Sequence, residues 1–190
     1  PVWRDKVFTL LEYMDWYAKT QSDWKKPKGR RDKYEMFSYP SDWGGFNVPS
    51  YVFDRLDLHT IPDVNTYDEF MQSVVGLIRS TGVNRFYLIG TTEGPEVDYY
   101  LDHEISHGFY YTNGPYRKAA EALLEAAGPY VFDRIKNWLT SGGYCEEVIV
   151  DECIAYLATG LPAKLEKNKL CVEAQAPFKK LLKAFKKVSK

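Results

Sequence analysis

The stretch His103-Glu104-Ile105-Ser106-His107 constrains this chain more than any other. Two histidines four apart on a helix share one face, about 6 Å apart along the axis at roughly 1.5 Å rise per residue. Both imidazoles then converge on a single metal ion. The glutamate beside the first histidine is placed to hold a metal-bound water and take its proton. The chain has 3 histidines, and two of them are here. The plainer alternative is an exposed helix with two polar histidines and no metal.

Composition bounds the rest. With 190 residues, the chain is long enough for one substantial core, and one domain is the expectation. The 15 Tyr, 10 Phe and 5 Trp read as an aromatic-rich core before they read as a carbohydrate or nucleobase platform. A net charge of −1 gives no field directed at nucleic acid, which is not expected as a partner. Cys145, Cys153 and Cys171 are too few and too widely spaced for a disulfide framework or a Cys-x-x-Cys zinc or redox site. Free thiols and a cytoplasmic protein fit best. No run is long enough to span a bilayer. Pro1-Val2-Trp3-Arg4-Asp5 is not a signal peptide, and secretion after processing stays open.

Periodicity suggests the elements. Val7 to Tyr17 reads as a helix, Lys25 to Lys33 as a basic loop, Pro40 to Pro49 as irregular, and Tyr51 to Leu58 as a short strand. Thr66, with Glu69 three residues on, opens a helix to about Ser80 with Phe70, Val74, Leu77 and Ile78 on one face. Arg85 to Ile89 is the clearest strand, stopped by Gly90. A loop through Glu93-Gly94-Pro95 leads into the motif helix. Further helices are expected over Tyr116 to Ala127, from Gly128-Pro129 to about Thr140, over Tyr144 to Ala158, and over Ala176 to Lys190. The order predicts one α+β domain over 1–190. Its irregular and sheet part covers about 1–95, and its helical part about 96–190.

A catalytic zinc site commonly has three protein ligands and one open position. His59 lies far upstream, and no histidine follows in residues 108–117, so the spacing of metzincins is absent. A carboxylate must complete the site. Glu152 is the best candidate, as the one carboxylate on a stripe with Cys145, Val148, Ile149, Ala155, Tyr156 and Thr159. Burying an unpaired carboxylate costs several kcal/mol, roughly, so it needs a cation or a proton. The alternative is a salt bridge to Arg85, Arg117 or Arg134. Asp151 and Glu147 share a neighbouring stripe suited to solvent or to supporting a ligand histidine.

The flanks of the motif, with uncharged Ile105, Ser106 and Gly108 and then apolar Phe109, resemble the extended zincin pattern. Asp151-Glu152-Cys153-Ile154-Ala155 resembles the glutamate-helix motif of gluzincin metallopeptidases, commonly Asn-Glu-x-x-Ala. The resemblance implies a zincin-like fold, with a small N-terminal sheet beside helices that carry the active site. It implies Zn2+ held by His103, His107 and Glu152, with Glu104 as general base. It also implies that the strand from Arg85 precedes the active-site helix and pairs with extended substrate. The chain departs from the pattern in places. Asp151 replaces the usual Asn, and Tyr156 stands where thermolysin-like members carry an Asp that orients the first histidine. No histidine follows Glu152, which leaves Tyr156, Tyr144 and Tyr111, an arginine or backbone N–H groups to stabilise an oxyanion.

The expected function is zinc-dependent hydrolysis of peptide bonds in a peptide or protein substrate. Two other classes are open. One is an inactive metal-binding or regulatory protein. The other is a surface-binding module whose Lys179, Lys180, Lys183, Lys186, Lys187 and Lys190 meet an anionic membrane or nucleic acid. A C-terminal helix docked on the core with solvated lysines is the plainer reading of that tail. The oligomeric state is not legible.

Overall fold

The computed structural model describes residues 45–54, 64, 66–91, 94 and 97–188. The expected first helix, the basic loop, His59 and Lys190 lie outside the described residues. The described residues fall into two compact units. One comprises 51–54, 64 and 66–84. The other comprises 45–50 and the described residues from 85 onward, and it holds the motif.

In the first unit, α2 spans Thr66–Ser80, as its cap and periodicity predict. The expected apolar face is covered only in part, with Val74 and Ile78 half-buried. Phe70 and Leu77 are 66% and 71% exposed, while Val75 is buried. Arg79 pairs with Asp54 in this unit. The residues before Asp54 correct the expected strand from Tyr51. Strand β1 runs Gly45–Pro49, within the stretch expected to be irregular, and α1 covers Ser50–Asp54. A short run of Tyr, Val and Phe does not by itself separate strand from helix. Here Gly45–Pro49 occupies the pairing edge, and a last cross-strand bond from the Ser50 N–H to the Phe86 carbonyl, 2.9 Å, closes the ladder where α1 begins.

The second unit is mostly helical, with a two-stranded antiparallel sheet. Strand β2 is Tyr87–Thr91, and its register pairs Asn47 with Ile89 and Phe46 with Gly90. Gly90 therefore lies inside the strand and does not stop it. A Cβ there would come within 2.1 Å of the Phe46 ring, so the ring folds over a backbone that only glycine leaves bare. On the opposite face, Tyr87 and Ile89 lie 3.5 and 3.8 Å from where a Cβ on Gly108 would stand. The small residue after His107 thus lets the sheet rest close to the motif helix.

The helices follow in order. α3 is Val97–Thr112, and Asn113 caps α4, Gly114–Ser141, by accepting from the Tyr116 backbone N–H at 3.0 Å. Within that span the two helices expected on either side of Gly128 meet at a non-helical residue, as the sequence predicts. Gly128 takes φ of 85°, a left-handed conformation, and Pro129 restarts the helix. The helix expected from Tyr144 begins later. Cys145 is extended, Glu146–Val148 form a 3₁₀ turn, and α5 spans Ile149–Thr159. After α6, Ala163–Glu166, comes α7, Lys169–Val188. α7 starts before the expected Ala176 because Asn168 caps it, accepting from the Cys171 N–H at 3.2 Å, and the helix continues through Pro177.

The core is built from α4, α5 and α7. Ile135, Leu139, Ile149, Ile154, Leu157, Phe178 and Leu182 are buried together, and Ile105 and Phe109 of α3 pack against them. Phe178 and Leu182 bury the apolar stripe of the C-terminal helix, although Val188 at its end is exposed. Cys145, Cys153 and Cys171 are free thiols. Among the described residues no helix is long and apolar enough to cross a membrane.

Candidate metal centre

α3 supplies His103, Glu104 and His107, and α5 supplies Asp151, Glu152, Tyr156 and Thr159. The two helices pack so that one donor atom from each of His103, His107 and Glu152 lies within 4.8 Å of the others. The Nε2 atoms of the histidines are 3.3 Å apart. Glu152 Oε2 lies 3.7 Å from each of them. Among the described residues no arginine lies in ion-pair range of Glu152, so the salt-bridge alternative is not realised there.

The far nitrogens fix the tautomers. Thr159 donates its hydroxyl proton to the Ala155 carbonyl at 2.7 Å, so toward His103 Nδ1, 3.2 Å away, it can only accept. His103 Nδ1 therefore carries a proton. His107 Nδ1 lies 2.9 Å from Asp151 Oδ1, an ion-pair contact beside which a proton on Nδ1 is favoured while the carboxylate is ionised. With both rings neutral, each imidazole presents an Nε2 lone pair to the same space, which is the arrangement of metal-ligating histidines.

Those lone pairs and the Glu152 oxygen repel one another unless a cation lies among them. Glu152 Oε2 is buried with no hydrogen-bond partner among the described residues. A buried acceptor of that kind is costly, by about 1–3 kcal/mol. His107 responds to the same field. Burial alone would lower its pKa, but Asp151 and Glu152 outweigh burial and push it up to about 10. Without a metal, a proton on His107 supplies the positive charge. Burial raises the pKa of the Asp151 carboxyl, against the opposing pull of His107. The donor set, two nitrogens and one carboxylate oxygen, suits Zn2+.

Glu104 is nearly buried, and Asn47 Nδ2 donates to its Oε2. Asn47 is held in turn by the Tyr87 hydroxyl, which donates to Oδ1 at 2.6 Å. The Tyr156 ring stands edge-on to His103 at 4.8 Å and to Trp138 at 5.3 Å. Its hydroxyl lies 3.4 Å from that of Tyr144. Burial pushes the Tyr156 phenol up to about 12 and raises Tyr144 further, and the Glu152 charge adds to both. Tyr111 is differently engaged. Its hydroxyl pairs with Ser50 Oγ at 3.2 Å, and Arg85 lies over its ring while bonding its carbonyl.

The structure brings the sequence-predicted His103, His107 and Glu152 into one group, adds Asn47 and Tyr87, which the sequence does not single out, and gives Thr159, placed on the Glu152 stripe without a role, a partner in His103. Thr159 had a signal, since it lies seven residues after Glu152 and so on the same helix face. Asn47 had none, because its place depends on strand register. No family model, no curated protein and no solved structure matches this chain.

Proposed function

We propose that this chain is a zinc-dependent peptidase of gluzincin type with a zincin-like active-site arrangement. His103, His107 and Glu152 hold the metal, and Glu104 is the general base. The observation that carries the reading is the orphaned Glu152 oxygen facing two inward-turned histidine nitrogens. When bound, zinc supplies Lewis acidity at a peptide carbonyl and acidity to a water molecule. Thr159 and Asp151 keep both imidazoles in the ligating tautomer. Glu104, one residue from His103 and outside the ligand set, accepts a proton and returns it to the leaving amine. Tyr144 and Tyr156, protonated across the neutral range, are hydroxyl donors for the developing oxyanion. A purely structural metal site has no use for a base held beside it, which favours catalysis over an inactive metal-binding protein. The tail module is disfavoured because Phe178 and Leu182 commit the apolar stripe of α7 to the core.

Metal analysis of protein purified without added zinc tests the reading. About one zinc per chain is expected for a three-ligand site. His103→Ala and His107→Ala should each abolish it, and stoichiometric zinc in both variants would refute the assignment. Glu104→Gln should keep the zinc. Its cleavage of a quenched-fluorescent peptide library should fall by roughly 10²–10⁴-fold.

A further inference from the structure

The sheet carries a group directed at the base. In the β1–β2 register, Asn47 opposes Ile89, and Tyr87 lies two residues along on the same face. Ile89 and Tyr87 are the side chains that meet Gly108, so this face looks onto α3. From it Asn47 reaches Glu104, across 57 positions of sequence.

The polarity of the chain of contacts is fixed by chemistry. The Tyr87 hydroxyl donates to Asn47 Oδ1. That turns the amide so that Nδ2, with its two N–H groups, faces Glu104 Oε2. An ionised carboxylate offers only acceptors, so a flipped amide would set two acceptors against each other. Among the described residues Asn47 is the one hydrogen-bond partner of Glu104.

We propose that Asn47, oriented by Tyr87, is the positioning residue of Glu104, and that it commits Oε2 so that Oε1 is the oxygen that takes the proton. The proposal rests on the reading of Glu104 as general base. A glutamate has three side-chain torsions, and a nearly buried one without a tether would divide its time among several orientations. Holding one oxygen leaves a single direction for the other. Catalytic groups displaced by about 1 Å lose on the order of 10²-fold in rate, so a tether from a paired strand matters to turnover. Neither Asn47 nor Tyr87 belongs to the ligand group, so the tether acts on the base and leaves the metal alone.

The test uses the full chain with zinc and the library peptide that the wild type cleaves fastest. Asn47→Asp keeps the size of the side chain and removes both donors. It should retain one zinc and the wild-type KM while kcat falls roughly 10–100-fold, as for outer groups that orient an active-site residue. Tyr87→Phe keeps the amide but frees it to flip, and should lose less in kcat. In a ¹⁵N side-chain amide spectrum, the Asn47 resonances should move in Glu104→Ala and stay in place in Lys186→Ala. Wild-type kcat in Asn47→Asp, a loss confined to KM or to zinc content, or Asn47 resonances indifferent to Glu104→Ala would each overturn the proposal. A folded wild type that cleaves no library peptide would sink the peptidase reading instead. The amide spectrum would then still decide whether Asn47 holds Glu104.

Discussion

Helices α3 and α7 belong to the same unit and bury opposite kinds of surface. α7 buries Cys171, Gln175, Phe178 and Leu182 and turns most of its lysines outward, so its stripe is apolar but for Gln175 and its main contribution is burial. α3 buries Glu104, Ser106, His107 and Gly108. Each buried polar side chain there has a designated partner: Asn47 for Glu104, Tyr116 for Ser106 and Asp151 for His107. One helix is held by non-directional attraction that tolerates exchange among apolar residues. The other is held by directional contacts that fail singly when one partner is lost. The difference separates the element that chiefly stabilises the unit from the element that carries the candidate metal centre.

Four substitutions would break or sharpen that contrast, from the largest effect to the smallest. Phe178→Ala in α7 removes a fully buried ring from the core. Unfolding by denaturant should show a loss of about 3–5 kcal/mol, while zinc affinity of the folded protein stays close to wild type. A comparable loss of zinc affinity would mean that the two helices are not separable in this way. Ser106→Ala in α3 should cost about 1–3 kcal/mol in the same measurement, although it deletes a single oxygen. The reason is that the Tyr116 hydroxyl, 2.9 Å away and fully buried, would lose its partner.

Asp151→Asn should leave the core stable and weaken zinc roughly 10–100-fold, read by competition with a chelating dye. The variant keeps an oxygen for His107 Nδ1 but not the charge. Unchanged affinity would remove Asp151 from the support of His107. Lys186→Ala should do least. It deletes the ion pair between α7 and Asp102 of α3, where both side chains are more than a third exposed. Such pairs contribute about 0–1 kcal/mol, and the effect should shrink further in high salt. A larger loss would show that α7 also holds α3 through charge.

The contrast also explains what was legible. The stripe of α7 is a periodic pattern, and Phe178, Leu181, Leu182 and Phe185 all pack where their spacing puts them. The helix starts earlier than that pattern predicts, since the cap at Asn168 lies outside the apolar pattern. α2 shows the opposite failure. Its boundaries are as expected, but the face carrying Phe70 and Leu77 is open to solvent. Caps and periodicity fix where a helix lies and do not say which neighbour covers it. At the site, the spacing of His103 and His107 follows from helix geometry alone. The choice of Glu152 over Asp151 followed from the apolar company it keeps.

By itself the sequence determined the helix that carries His103, Glu104 and His107, the glutamate stripe of α5, and a mostly helical second half. These depend on contacts within one helical turn or on the burial of one stripe, and both are written in local spacing. Only the tertiary structure decided that Glu152 Oε2 stands 3.7 Å from both Nε2 atoms. It alone decided that Asp151 and Thr159 take the far nitrogens, and that an asparagine from a strand reaches Glu104. Each of these is a contact between elements distant in the chain. Its partners are selected by strand register and helix packing, and neither is encoded by the residues that finally touch.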